Sequence, residues 1–173
     1  MLVFSEYQTD TIDLALDFYG YEDCPKNYEF GPSVRDNFVL HFITKGKGVF
    51  HINKKEIHLE AGDLFLLPKN KVTYYQADAE DPWSYYWIGI SGTKVSDFMH
   101  FSTLHEKGFL KKTEVDTERI GQFMEQIVHK SEASKMTSHY QLHLLSQIYE
   151  LLFLISEVAP DIHRSHQYPT YLL

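Results

Sequence analysis

Between Phe38 and Ile90 the chain alternates short apolar runs with close turns, and that rhythm limits what it can fold into. Phe38 to Thr44 predicts a strand, Lys45-Gly46-Lys47-Gly48 a turn, and Val49 to Asn53 a second strand. A polar turn, Asn53 to Glu56, leads into Ile57 to Leu59. Gly62-Asp63 turns again, and Leu64 to Leu67 is a nearly continuous apolar strand stopped by Pro68. Val72 to Ala77 and Trp83 to Ile90 complete the series, the last closed by Ser91-Gly92. Runs this short suit strands better than helices, and their close spacing predicts an antiparallel barrel or sandwich. Gly46 and Gly48 permit a tight hairpin. Gly62 serves the turn before a buried strand, where Asp63 can accept backbone N–H bonds.

The period then changes. Thr93 to Phe101 predicts a short helix. Asp116 or Thr117 reads as an N-cap, with Ile120, Phe123, Met124 and Ile127 on one face. After a polar break, Ser131 to Thr137, a long helix runs from Ser138 to about Val158 and ends before Pro160. It carries two apolar stripes: Leu145, Ile148, Leu152 and Ile155; and Leu144, Leu151, Leu154 and Val158. One stripe suffices for an amphipathic helix. The second points to a second packing surface, either more of its own domain or another subunit. The predicted organisation is therefore an N-terminal arm, Met1 to Tyr19, and a β-rich region up to residue 92. A helical region follows over 93–160, and a polar, turn-forming segment over 161–173.

Composition excludes several function classes. Hydrophobic residues make up 43% of the 173 residues, which argues against disorder. A formal charge of −8 argues against DNA binding by this surface, since phosphate contact needs clustered Lys and Arg. The single cysteine, Cys24, allows no internal disulfide and fits a reducing cytoplasm. The acidic start, with Glu6, Asp10, Asp13 and Asp17, lacks signal-peptide character, and Leu151 to Ile155 is too short to span a bilayer. A cytoplasmic protein without membrane contact is expected.

No catalytic constellation emerges. A cupin metal site takes a His-x-His pair, a Glu and a later His. Here His41 stands alone on its strand, and Thr73 occupies the place of the later His. His139 and His143 have helical i, i+4 spacing but no adjacent third ligand, so no metal is expected. Cys24 has no partner and no nucleophile elbow. Phosphate-loop and dinucleotide fingerprints are absent. The connector from Ser131 to Thr137 is longer than a helix-turn-helix turn, and the helix after it is too apolar to enter a groove.

Three blocks carry a resemblance. They are Phe30-Gly31-Pro32-Ser33-Val34-Arg35-Asp36 with Leu40-His41-Phe42-Ile43-Thr44-Lys45-Gly46-Lys47-Gly48; Leu59-Glu60-Ala61-Gly62-Asp63-Leu64-Phe65-Leu66-Leu67-Pro68; and Pro82-Trp83-Ser84-Tyr85-Tyr86-Trp87-Ile88-Gly89-Ile90-Ser91-Gly92. In order and spacing they resemble the N-terminal sensor domain of AraC-type transcription regulators. The resemblance implies a mainly β fold, a cupin-like jelly-roll (double-stranded β-helix) barrel followed by a helical dimerisation region. It also implies a cytoplasmic homodimer without cofactor, binding a small-molecule effector. Residues 161–173 would then begin a linker to a DNA-binding domain outside this sequence, and DNA would be contacted only through that domain. These 173 residues alone should give no specific gel shift.

A small barrel holds one modest ligand on its inward faces. Alternation puts Trp83, Tyr85 and Trp87 on one face, with Tyr75 on the preceding strand. Aromatic rings pack on sugar C–H faces, and an arginine fork such as Arg35 suits vicinal hydroxyls. In sugar-sensing members of the family an arginine near Arg35, a tyrosine at the position of Tyr75 and a tryptophan at that of Trp87 contact the sugar; Tyr85 replaces a histidine. The expected ligand-binding set is Arg35, Tyr75, Trp83, Tyr85 and Trp87, for a mono- or oligosaccharide. The expected seam is Leu144, Leu151, Leu154 and Val158. Two alternatives stand beside this: the aromatics are plain core, with Arg35 paired to Asp36 or Asp63; or the chain is a metal-free cupin-fold enzyme, an isomerase or epimerase acting on a sugar.

Overall fold

The computed structural model describes residues 3–6, 13–133 and 138–163. Strands β1 (Val3–Glu6), β2 (Ala15–Asp23), β3 (Glu29–Ser33), β4 (Phe38–Lys45), β5 (Lys47–Ile52), β6 (Lys55–Glu60), β7 (Leu64–Leu67), β8 (Thr73–Ala77) and β9 (Ser84–Ser91) come first. Helices α1 (Thr93–Met99) and α2 (Leu104–Lys107), strand β10 (Phe109–Leu110) and helices α3 (Glu118–Ala133) and α4 (Ser138–Val158) follow. The strands form two facing antiparallel sheets, a six-stranded one in the order β1-β2-β9-β4-β7-β10 and a four-stranded one in the order β3-β8-β5-β6. This is the antiparallel barrel that the short runs predict, in the jelly-roll form with C-terminal helices that the resemblance implies.

The central strands of the six-stranded sheet, β4, β7 and β9, are buried on both faces over most of their length. Along β9, Tyr85 and Trp87 point into the barrel, whereas Tyr86, Ile88 and Ile90 point at the helices. On β4, Val39 and Ile43 face inward, and Phe38 and Leu40 outward. The continuous apolar reading of Leu64 to Leu67 follows from this double burial, because both faces of that strand need apolar side chains. Two cores result: one inside the barrel, and one between its outer face and α1, α3 and α4.

Local chemistry sets the hairpins. Gly46 turns with φ of 73°, a left-handed conformation that suits glycine. Gly48 has a different role from the hairpin one expected of it. A Cβ there would come within 2.5 Å of the Trp83 indole, so the missing side chain makes room for that ring. Asp63, buried, accepts the backbone N–H of Glu60 and of Lys112, each at 2.9 Å. It thereby ties the β6–β7 turn to the segment entering α3. Of the two expected cap residues, Asp116 accepts the Glu118 N–H at 3.3 Å, while Thr117 donates its hydroxyl to the Gly62 carbonyl.

Three boundaries differ from expectation. The arm expected over Met1 to Tyr19 loses its last residues to β2, which pairs with β9 in register Gly20 with Trp87. Strand β3 also escaped prediction. The barrel is not closed at residue 92, because β10 returns to pair with β7. Residues 134–137 of the expected break and 164–173 of the expected linker lie outside the described residues.

Along α4 both apolar stripes are used at home. Leu144, Leu151 and Leu154 are buried in the chain's own core with Ile148, Leu152 and Ile155, and Val158 is half-buried against it. The helix lies against α3, α1 and β2, so a wide arc of its surface is covered. This corrects the seam expected at Leu144, Leu151, Leu154 and Val158: those side chains are occupied within one chain. The apolar residues left exposed on α4 are Leu142, Tyr149 and Phe153.

Candidate ligand site inside the barrel

The inward faces of β2, β4, β8 and β9 enclose a cavity of about 470 Å³. That volume lies within the usual range for small-molecule sites. From β9 come Tyr85 and Trp87, from β8 Tyr75, and from β4 Val39 and His41. Strand β2 supplies Phe18 and Glu22, β3 supplies Phe30, and the segments on either side of β3 add Tyr28 and Arg35.

Arg35 lies in the loop between β3 and β4. Its carbonyl accepts the N–H of Asn70 at 2.8 Å, which anchors the backbone. The guanidinium carbon sits 5.1 Å from the Phe30 ring centroid and 5.5 Å from that of Phe18. Both are cation–π distances. Its Nε is buried without a hydrogen-bond partner. Asp63 is already engaged by two backbone donors, and among the described residues no carboxylate makes an ion pair with Arg35. The expected alternative pairing with Asp36 or Asp63 is therefore not formed.

His41 is buried and lies flat on Phe65, with centroids 4.3 Å apart and planes 8° apart. Tyr85 and Tyr75 meet it edge-on at 4.9 and 5.4 Å. Its Nδ1 has no partner. Burial, reinforced by the nearby Arg35 charge, pushes its pKa down to about 3, so the ring is neutral. The Tyr85 hydroxyl lies 3.5 Å from Glu22 Oε2 as donor. Burial raises the Glu22 pKa, and it raises those of Tyr75 and Tyr85 far above the ordinary phenol value. Burial also pushes the Cys24 thiol up to about 12, which leaves it an unreactive neutral group.

Four of the five expected ligand residues, Arg35, Tyr75, Tyr85 and Trp87, thus line one cavity. Trp83 does not. It is fully buried, stacked at 5.3 Å on Phe65, whose ring also stacks on His41. Trp83 packs behind the lining, against Phe65 and against Tyr75 and Tyr85 at 6.2 Å each, so strand alternation gave the right face but not the depth. Glu22, His41, Phe18, Tyr28 and Phe30 were missed. Alternation along β4, Val39-His41-Ile43, carried a signal for His41. Glu22 was hidden because β2 was not read as a strand. Among the described residues, no group of three or more His, Cys, Asp or Glu is placed to hold a metal ion, and no helix is long and apolar enough to cross a membrane.

A jelly roll whose interior cavity combines an aromatic wall with a guanidinium, a carboxylate and a neutral imidazole is a cupin-like small-molecule-binding domain. Residues 15–152 match the family described as AraC-like ligand binding domain, and the chain belongs to that family. It is 39% identical over 161 residues to the Msm operon regulatory protein of Streptococcus mutans, covering 93% of this chain and 57% of that protein. It is 42% identical over 100 residues to the raffinose operon transcriptional regulatory protein RafR of Pediococcus pentosaceus, covering 56% of this chain and 36% of that one. It is 26% identical over 161 residues to the lactose operon transcription activator of Staphylococcus xylosus, covering 93% and 57% respectively. The chain thus spans a little over half the length of the first and third of these relatives and about a third of the second, and all three are named as regulators or activators of operons.

Proposed function

We propose that this chain is the effector-sensing and dimerisation part of an AraC-type transcription regulator of carbohydrate-utilisation genes. Its effector is a mono- or oligosaccharide bound in the barrel cavity. DNA is contacted by a separate helix-turn-helix domain beyond residues 161–173, and the chain itself binds rather than catalyses. The observation that carries the reading is Arg35, a guanidinium held against two aromatic rings beside a wall of Tyr75, Tyr85 and Trp87, with a buried unpartnered Nε. A sugar ring offers C–H faces to such a wall and paired hydroxyls to such a fork. Two of the relatives are named for raffinose and lactose operons, which favours a sugar over other small molecules and regulation over the isomerase or epimerase alternative.

Isothermal calorimetry and thermal shift against galactose, lactose, melibiose and raffinose test this. One sugar should bind, with affinity reduced about tenfold or more by Arg35→Ala and by Trp87→Ala while both variants keep their circular dichroism. Binding that survives both changes would place the sugar elsewhere. Dimerisation is proposed along the uncovered side of α4, at Leu142, Tyr149 and Phe153, in place of the buried stripe.

A further inference from the structure

The cavity holds a balanced pair of charges. Arg35 supplies its single cationic side chain and Glu22 its single carboxylate, and the two make no ion pair with one another. The other ionisable groups of the lining are neutral. His41 is held uncharged by burial, and Tyr28, Tyr75 and Tyr85 are phenols whose ionisation burial opposes. Glu22 is itself partly desolvated, and the Tyr85 hydroxyl lies 3.5 Å from its carboxylate. Two polar atoms remain buried and unpartnered at this site, Arg35 Nε, a donor, and His41 Nδ1.

From this we infer that the cavity selects an uncharged polyol, with Glu22 the residue that turns away phosphorylated and carboxylated sugars. The inference rests on the sugar-binding reading above and narrows its ligand class. A hydroxyl group both donates and accepts. A run of sugar hydroxyls can therefore donate to the Glu22 carboxylate and accept from the Arg35 fork, which satisfies both charges without adding a third. A phosphate would bring up to two negative charges into a space that already holds one. It would have a single guanidinium to meet it, and like charges in a shared desolvated site repel strongly. A site built for sugar phosphates needs a surplus of cationic donors, and this lining has none.

Calorimetry at pH 7 with matched pairs reads the selection: galactose against galactose 6-phosphate and galacturonate, glucose against glucose 6-phosphate, and the neutral oligosaccharides above. In the unaltered chain a neutral sugar should bind and its charged counterpart should be weaker by about a hundredfold or beyond detection. Glu22→Gln keeps the shape of the side chain and removes its charge. It should weaken the neutral sugar by about tenfold, the usual scale for a hydrogen bond to a charged group. It should narrow the gap to the charged counterpart by at least as much. A phosphorylated or carboxylated sugar that binds as well as its neutral partner overturns the inference and leaves the sugar-binding reading standing. So does a gap that Glu22→Gln leaves unchanged. If no saccharide of either kind binds, the broader reading fails and this one with it. The unliganded melting temperature of Glu22→Gln separates loss of contact from loss of fold.

Discussion

His41 shows how one residue couples site and stability. Its folded pKa is about 3 against an ordinary 6.5, with burial as the main cause. Between those two values the unfolded chain binds a proton at this ring and the folded chain does not. Stability therefore falls as pH drops from about 6.5 toward about 3, by at most about 1.4 kcal/mol per pH unit from this group. His41→Asn removes the titration. Urea midpoints measured at pH 7 and pH 5 should move closer together in that variant than in the unaltered chain. An equal drop in both would assign the acid sensitivity to other groups. Trp83 makes the opposite point. Its residue type and face match the sugar-stacking pattern, yet it is fully buried behind Tyr75, Tyr85 and Phe65 and acts as core.

Among the elements, the β6–β7 turn joins the two halves of the chain. Asp63 receives one N–H from β6 and one from Lys112, on the approach to α3. Asp63→Ala would strand two backbone donors, at a cost of about 2 to 4 kcal/mol. Asp63→Asn, which keeps one carbonyl acceptor in place, should cost less. Urea denaturation of both variants checks the ranking, and near-equal losses would mean that the carboxylate's second acceptor matters as much as the first. The same turn and the β4–β5 hairpin were legible in the sequence because their signals are local: Gly46 with positive φ, Asp63 after Gly62. Strand β2 was not legible. Its first residues fall in the acidic stretch with Asp13 and Asp17 that reads as an arm, and only its pairing with β9 reveals that Phe18 and Glu22 face the barrel.

At the scale of the whole molecule, the exposed face of α4 is the surface through which we propose that copies associate. Leu142 is 73% exposed, Phe153 53% and Tyr149 40%, whereas Leu151 is fully buried. Light scattering at micromolar concentration should give a homodimer. Leu142→Glu combined with Phe153→Glu should give a monomer with an unchanged melting temperature, because those side chains have no place in the fold's own core. Leu151→Glu should unfold the chain instead. A dimer that persists in the double variant would put the seam elsewhere.

The strand rhythm from Phe38 to Ile90, the change of period after Gly92 and the helix from Ser138 to Val158 were written locally, in turn residues and apolar spacing that act over a few positions. They fixed an antiparallel barrel or sandwich followed by helices, the family resemblance narrowed it to a jelly roll, and alternation along β9 fixed which face Tyr85 and Trp87 present. Depth and partnership were not local. Whether Trp83 lines a cavity depends on the packing of Phe65, Tyr75 and Tyr85 around it, and which stripe of α4 is covered depends on α1, α3 and β2. Glu22 joined the site only when β2 closed against β9. Periodicity states that a face is apolar or inward; only the packing of distant segments states what that face meets.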